Sequence, residues 1–137
     1  MSAAETENMR RLEAIVAELP EAERIDIEAW DDYPAFKVRK KNFVFADQAA
    51  ESMSVKLSKE ETAAVVATDD SVEPLGYGLG RHGWISFAVD ADADEERWEI
   101  IREWVRTSYT LVAPKSLARI VLEQDANSWT YAHPSRA

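Results

Sequence analysis

The four glycines of the chain, Gly76, Gly78, Gly80 and Gly83, fall within one eight-residue window. Glycine concentrated in this way marks a single piece of backbone that needs close approach or unusual dihedrals. The segment Gly78-Leu79-Gly80-Arg81-His82-Gly83 spells G-x-G-x-x-G, the pattern that cradles a dinucleotide when it follows a strand and opens a helix. Here it runs instead into Trp84-Ile85-Ser86-Phe87-Ala88-Val89, an alternating, β-rich stretch. The context therefore points to a glycine-rich hairpin, and no cofactor is expected. With a turn at Arg81-His82, Leu79 would oppose Trp84 and Leu75 would oppose Ala88. Gly78 and Gly76 would then leave room for Ile85 and Phe87 on the other side.

The same parity test applies to residues 36–45. Phe36 and Val38 are even-numbered, whereas Phe43 and Phe45 are odd, so one continuous strand would send the two pairs to opposite faces. A two-residue turn at Lys40-Lys41 removes the conflict. Val38 then faces Phe43, Phe36 faces Phe45, and Lys37 and Arg39 lie on the other face. Two hairpins, each turning on basic or potentially basic residues, are thus expected.

Around them the periodicity is mixed. Met9, Leu12, Ile15, Val16 and Leu19 predict a helix from about Ala4 to Glu18, closed by Pro20. Arg24–Trp30 alternates weakly, and Met53, Val55 and Leu57 predict a further strand. Ser58-Lys59-Glu60-Glu61 reads as a capping box opening a short helix to about Ala67. The longest helix is expected from Asp92 to about Tyr109, with Trp98, Ile101, Val105 and Ser108 along one face. Pro114 would start a short final helix with Leu117, Ile120 and Val121 inward. The chain reads as one α+β domain over residues 1–125, with an antiparallel sheet of about five or six strands and helices on one face. Residues 126–137 read as a loose tail.

Charge narrows the function classes. The net charge is −10, which on average repels a phosphate backbone. Yet residues 33–45 hold Lys37, Arg39, Lys40 and Lys41 and no acid. This run reads either as a solvated strand edge, where lysine discourages pairing, or as a hairpin that contacts phosphates. The residues alone favour the solvated edge. Asp90, Asp92 and Asp94 imitate a calcium loop but have Glu95 where glycine is needed and Ile101 where the bidentate glutamate belongs. The chain has no cysteine and two histidines, and it lacks a G-x-S-x-G elbow. Thiolate metal sites are thereby excluded, and no enzyme is expected. The N-terminus shows no secretory pattern and no apolar run approaches a membrane span, so a cytoplasmic protein is expected. Trp98 and Trp104 read as core; Trp84 reads as core, with a stacking platform as the alternative.

Three stretches together resemble the MmcQ/YjbR family: PAFKVRKKNFVF (34–45), GRHGWISFAVD (80–90) and SYTLVAPKSLARI (108–120). In this order and spacing the likeness covers roughly residues 8–122. It implies a CyaY-like fold and a double-wing DNA-binding role, weak and salt-dependent. Carried over, one wing would hold Lys37, Arg39, Lys40 and Lys41, and the other Arg81 and His82 with Trp84 beside them. Lys40 departs from the glycine or asparagine that a tight turn favours, at about 1 kcal/mol if its φ is positive. Two alternatives accompany this expectation. One is a protein-interaction or regulatory domain without affinity for nucleic acid. The other, by analogy with frataxin-like folds, is weak binding of hard cations by Glu21, Glu23, Asp26, Glu28, Asp31 and Asp32.

Overall fold

The computed structural model describes residues 6–28, 33–76 and 79–132, with side chains described as far as residue 124 and not at residue 79. Helix α1 (Glu7–Ala17) starts where the Thr6 hydroxyl accepts the Met9 amide at 3.1 Å, an N-cap that satisfies one orphan donor. Its stripe of Met9, Leu12, Ile15, Val16 and Leu19 is buried as the spacing predicts. Six antiparallel strands follow: β1 (Ala22–Ile27), β2 (Tyr33–Val38), β3 (Lys41–Ala46), β4 (Ser52–Lys56), β5 (Val72–Pro74) and β6 (Trp84–Ala88). They lie in the spatial order β1-β2-β3-β4-β6-β5. Helix α2 (Lys59–Thr68) connects β4 to β5, and α3 (Glu95–Val112) and α4 (Lys115–Ala132) complete the chain.

One face of the sheet supplies the core. Phe36, Val44, Val55 and Ile85 lie side by side across β2, β3, β4 and β6, with Met53 and Phe87 one step along. All six are buried, packed with Met9 and Leu12 of α1 and Ile101, Trp104, Val105 and Tyr109 of α3. Ser108 fastens α3 to the sheet: its hydroxyl donates to the Phe43 carbonyl at 2.6 Å and accepts the Lys56 amide at 2.9 Å. α4 packs on α3, where the buried Arg106 reaches Glu18 and Gln124.

The structure resolves the parity puzzle differently from the expected turn. The β2–β3 turn is Arg39-Lys40, one residue earlier, with Val38 opposite Lys41 and Lys37 opposite Asn42. The register then shifts, and Phe36 faces Val44. Phe43 is the extra residue of a β-bulge, which turns two consecutive side chains, Phe43 and Val44, into the core. The positive φ sits at Arg39 (58°), and Lys40 carries none.

The glycine segment differs too. β5 pairs with β6 through Val72↔Phe87, Glu73↔Ser86 and Pro74↔Ile85, four residues from the expected register. Arg81 and His82 end a 3-10 helix, Leu79–His82, inside a longer loop. Gly83 is the position that demands glycine. Its φ is +94° and a Cβ there would stand 2.0 Å from the Leu57 carbonyl oxygen. Gly78 lies outside the described residues. Helix α3 is capped by Asp94, not Asp92, because the Asp94 carboxylate accepts the Arg97 amide at 2.9 Å. α4 runs to Ala132, well beyond a short helix, and leaves Ile120 43% exposed. β1 begins at Ala22 and ends at Ile27, Glu28 having already left the strand, and Ala29 and Trp30 fall outside the described residues.

Candidate nucleic-acid interface

Antiparallel pairing decides where the basic residues go. Lys56 at the end of β4 is paired with Trp84 at the start of β6, while Val44 of β3 is paired with Val55 of β4. The β2–β3 turn, the end of β4 and the loop entering β6 therefore lie at the same end of the sheet. The strands that carry the two tips, β3 and β6, are separated only by β4. That places them about 10 Å apart in the hydrogen-bonding direction. α2 starts at this end, and the α3–α4 corner (Ala113, Pro114) lies beside the Arg39-Lys40 turn.

The candidate residues do not act alike here. Lys37 projects from the sheet face opposite the helices and stands 3.7 Å from Glu23 on β1. Arg39 is held by Glu21 through two hydrogen bonds of 2.7 and 3.0 Å. That carboxylate raises the guanidinium pKa above its ordinary value. The neighbouring Tyr109 phenol donates to the Pro20 carbonyl at 2.5 Å. Burial, and then the Glu21 charge, push its pKa up. Arg39 is thus built into the fold. Lys40 and Lys41 are exposed, and no acid pairs with either among the described residues. Arg81 and His82 are exposed at the second tip.

Trp84 corrects the reading of it as core. It is half-buried on the face away from the helices, tilted against Phe45 at 5.6 Å between ring centroids. The small Ser54, opposite Phe45 on β4, lets the two rings meet across the intervening strand. Trp98 and Trp104 are core, each with an arginine over its ring: Arg11 and Arg97 at 5.5 and 5.1 Å.

Lys115, which sequence reasoning missed, completes the site. With Lys40 and Lys41 it lines a groove of about 700 Å³ between the β2–β3 tip and the α3–α4 corner, walled by Val38, Val112, Ala113 and Pro114. Lys56 and Lys59 add charge at the same end and, like Lys115, have no ion-pair partner among the described residues. Glu60 and Glu61, in the first turn of α2, oppose them in part. The Pro114-Lys115 pair at a helix start was a visible signal, but only the fold brings it beside the hairpin.

The acids proposed for cations are largely engaged. Glu21 holds Arg39, Glu23 lies near Lys37, and Asp26 accepts from Arg24 at 3.0 Å. Asp31 and Asp32 fall outside the described residues. Among the described residues no three acids or histidines stand together as a metal cluster, and no helix is long and apolar enough to cross a membrane.

No curated protein compared with the chain matches it. The fold is similar to that of the Deinococcus radiodurans protein DR2400, a DUF419-domain protein of solved structure. The TM-score is 0.64 at 23% identity, over 85% of this chain and 88% of that one. The model of the YjbR family matches residues 17–111, which span both hairpins and nearly all of α3. The chain belongs to the YjbR family.

Proposed function

We propose that this chain is a non-enzymatic module that binds DNA weakly, and in a salt-dependent way, through the basic end of its sheet. One observation carries the reading. The two tips singled out by their basic residues open at the same end of the sheet, one strand apart, with Lys40, Lys41, Lys56, Lys59, Arg81 and Lys115 unpaired around them. Ammonium groups free of carboxylates keep their full attraction for phosphate. The −10 net charge weighs less than the total suggests, because the acid-rich connections to β4, β5 and α3 lie at the far end of the sheet, and Glu21 and Glu23 near the tip face Arg39 and Lys37. A DNA target also implies that the protein works in the compartment that holds the nucleic acid, which we take to be the cytoplasm.

Fluorescence anisotropy of labelled duplex and single-stranded oligonucleotides across a salt series tests the proposal. With about four cations engaged, log K should fall against log salt with a slope of about −3 to −4. The double variant Lys40→Glu/Lys41→Glu should lose binding while keeping the native circular dichroism spectrum. Absence of binding to any oligonucleotide at low salt would sink the proposal. A second reading, a protein-interaction domain, is favoured by Leu111, Ile120 and Leu122, which are 46%, 43% and 56% exposed on α3 and α4. Capture of a protein partner that persists at high salt, and is lost in Ile120→Glu/Leu122→Glu, would support it.

A further inference from the structure

We infer that the groove between the β2–β3 tip and the α3–α4 corner is a seat for one phosphate monoester carried on a nucleoside, a free mononucleotide or the phosphorylated end of a strand. In its second form the inference rests on the DNA-binding reading and deepens it. The groove has two unlike parts. Lys40, Lys41 and Lys115, none with a carboxylate partner among the described residues, line it on one side, and Val112, Ala113 and Pro114 give it an apolar wall. Arg39, also on the rim, is already neutralised by Glu21.

Charge selects the form of phosphate. A backbone phosphodiester carries one negative charge, whereas a monoester carries about −1.5 to −2 at pH 7 because its second pKa is about 6. Three unpaired ammoniums in one groove favour the more highly charged group. They act as point charges that need no bidentate geometry. The apolar wall then gives the attached sugar and base a surface that inorganic phosphate cannot use. A groove of about 700 Å³ falls within the range of small-molecule sites. The ligand chemistry is therefore an anionic head of nearly two charges on a body with flat, apolar faces.

The experiment compares one oligonucleotide sequence with a 5′-phosphate, a 3′-phosphate or hydroxyl ends, alongside titrations of a nucleoside monophosphate and of inorganic phosphate. Binding is read by anisotropy and by amide shifts of residues 38–41, 112, 113, 115 and 116. A phosphorylated end, or the free mononucleotide, should bind at least tenfold more tightly than the hydroxyl-ended strand or inorganic phosphate. The gain should fade as pH drops below about 6, where the monoester loses its second charge. Lys115→Glu should abolish the preference, while Arg119→Glu, an equal charge change outside the groove, should leave it intact. Equal affinity for phosphorylated and hydroxyl ends, with no mononucleotide binding, overturns this inference and leaves the DNA-binding reading standing. Mononucleotide binding without oligonucleotide binding overturns the DNA-binding reading instead. An acidic peptide that matches the mononucleotide in affinity would also overturn the inference.

Discussion

The two ends of the sheet carry opposite chemistry, and they differ in how their charges are used. The far end gathers Asp47, Glu51, Asp69, Asp70, Asp90, Asp92, Asp94 and Glu95 in the connections to β4, β5 and α3. Its cations are arginines committed to structure. Arg97 bonds Asp69 at 2.8 Å and Ser71 at 3.1 Å while lying over Trp104, and Arg11 pairs with Glu95 while lying over Trp98. The basic end is populated by lysines left out of ion pairs. Among the described residues the contrast is general: Arg10, Arg11, Arg24, Arg39, Arg97, Arg102 and Arg106 are ion-paired, Arg81 and Arg119 being the exceptions, whereas Lys37 is the one lysine in an ion pair. A planar guanidinium fork loses less entropy per hydrogen bond than a flexible ammonium, which explains the division. A strongly acidic protein can thus keep a free cationic surface by spending its arginines on its own carboxylates.

The most severe way to break this contrast is Gly83→Ala. A Cβ 2.0 Å from the Leu57 carbonyl, at a φ of +94°, forces β6 away from β4 at the basic end. We expect a loss of roughly 3 kcal/mol or more, or failure to fold. An unchanged urea midpoint would refute the close approach. Ser108→Ala comes next, since it leaves the buried Phe43 carbonyl and Lys56 amide without their shared partner. A destabilisation of about 1–3 kcal/mol is expected, and a value near zero would mean that α3 is not clamped through this hydroxyl.

The smallest effect sharpens the far end. Hydrogen bonding from Ser71, and then from Arg97, lowers the Asp69 pKa below its ordinary value. A carboxylate depressed in the folded state contributes stability above its unfolded pKa of about 3.9 and loses it as pH falls through the folded value. Asp69→Asn should cost about 0.5–1 kcal/mol at neutral pH, as a partly exposed pair does. It should also flatten the decline of stability below pH 4. A variant whose acid unfolding curve runs parallel to that of the wild type would show that Asp69 is not held by this pair.

Local chemistry made much of the fold legible. The α1 stripe, the Ser58 cap and the Met53–Leu57 alternation depend on neighbours within a few residues, and each is where its spacing predicts. What failed depended on distant partners. The flanks of Phe43 are those of an ordinary strand residue, and nothing in them reveals a bulge, which exists only relative to the Phe36-Lys37 step on the other strand. The β5–β6 register is hidden in the sequence for a related reason. Symmetric pairing about Arg81-His82 is the simplest geometry, yet Gly83 must sit against Leu57, and the preceding loop winds into a 3-10 turn. At the site, the lysines of one hairpin were legible as a run, whereas Lys115 is seventy-four residues beyond Lys41 and joins it only through the packing of α3 on the sheet.

The bulge at Phe43 has an architectural consequence. With two adjacent side chains anchored beneath it, the strand pair is locked against sliding, because any one-residue slip would expel one of them. Beyond that anchor Val38 is still buried in the core, whereas Arg39, Lys40 and Lys41 at the turn are exposed. With Val38 and the Arg39–Glu21 pair holding the base of the turn, Lys40 and Lys41 are a replaceable fitting that can be recharged while the body that carries them stays unchanged.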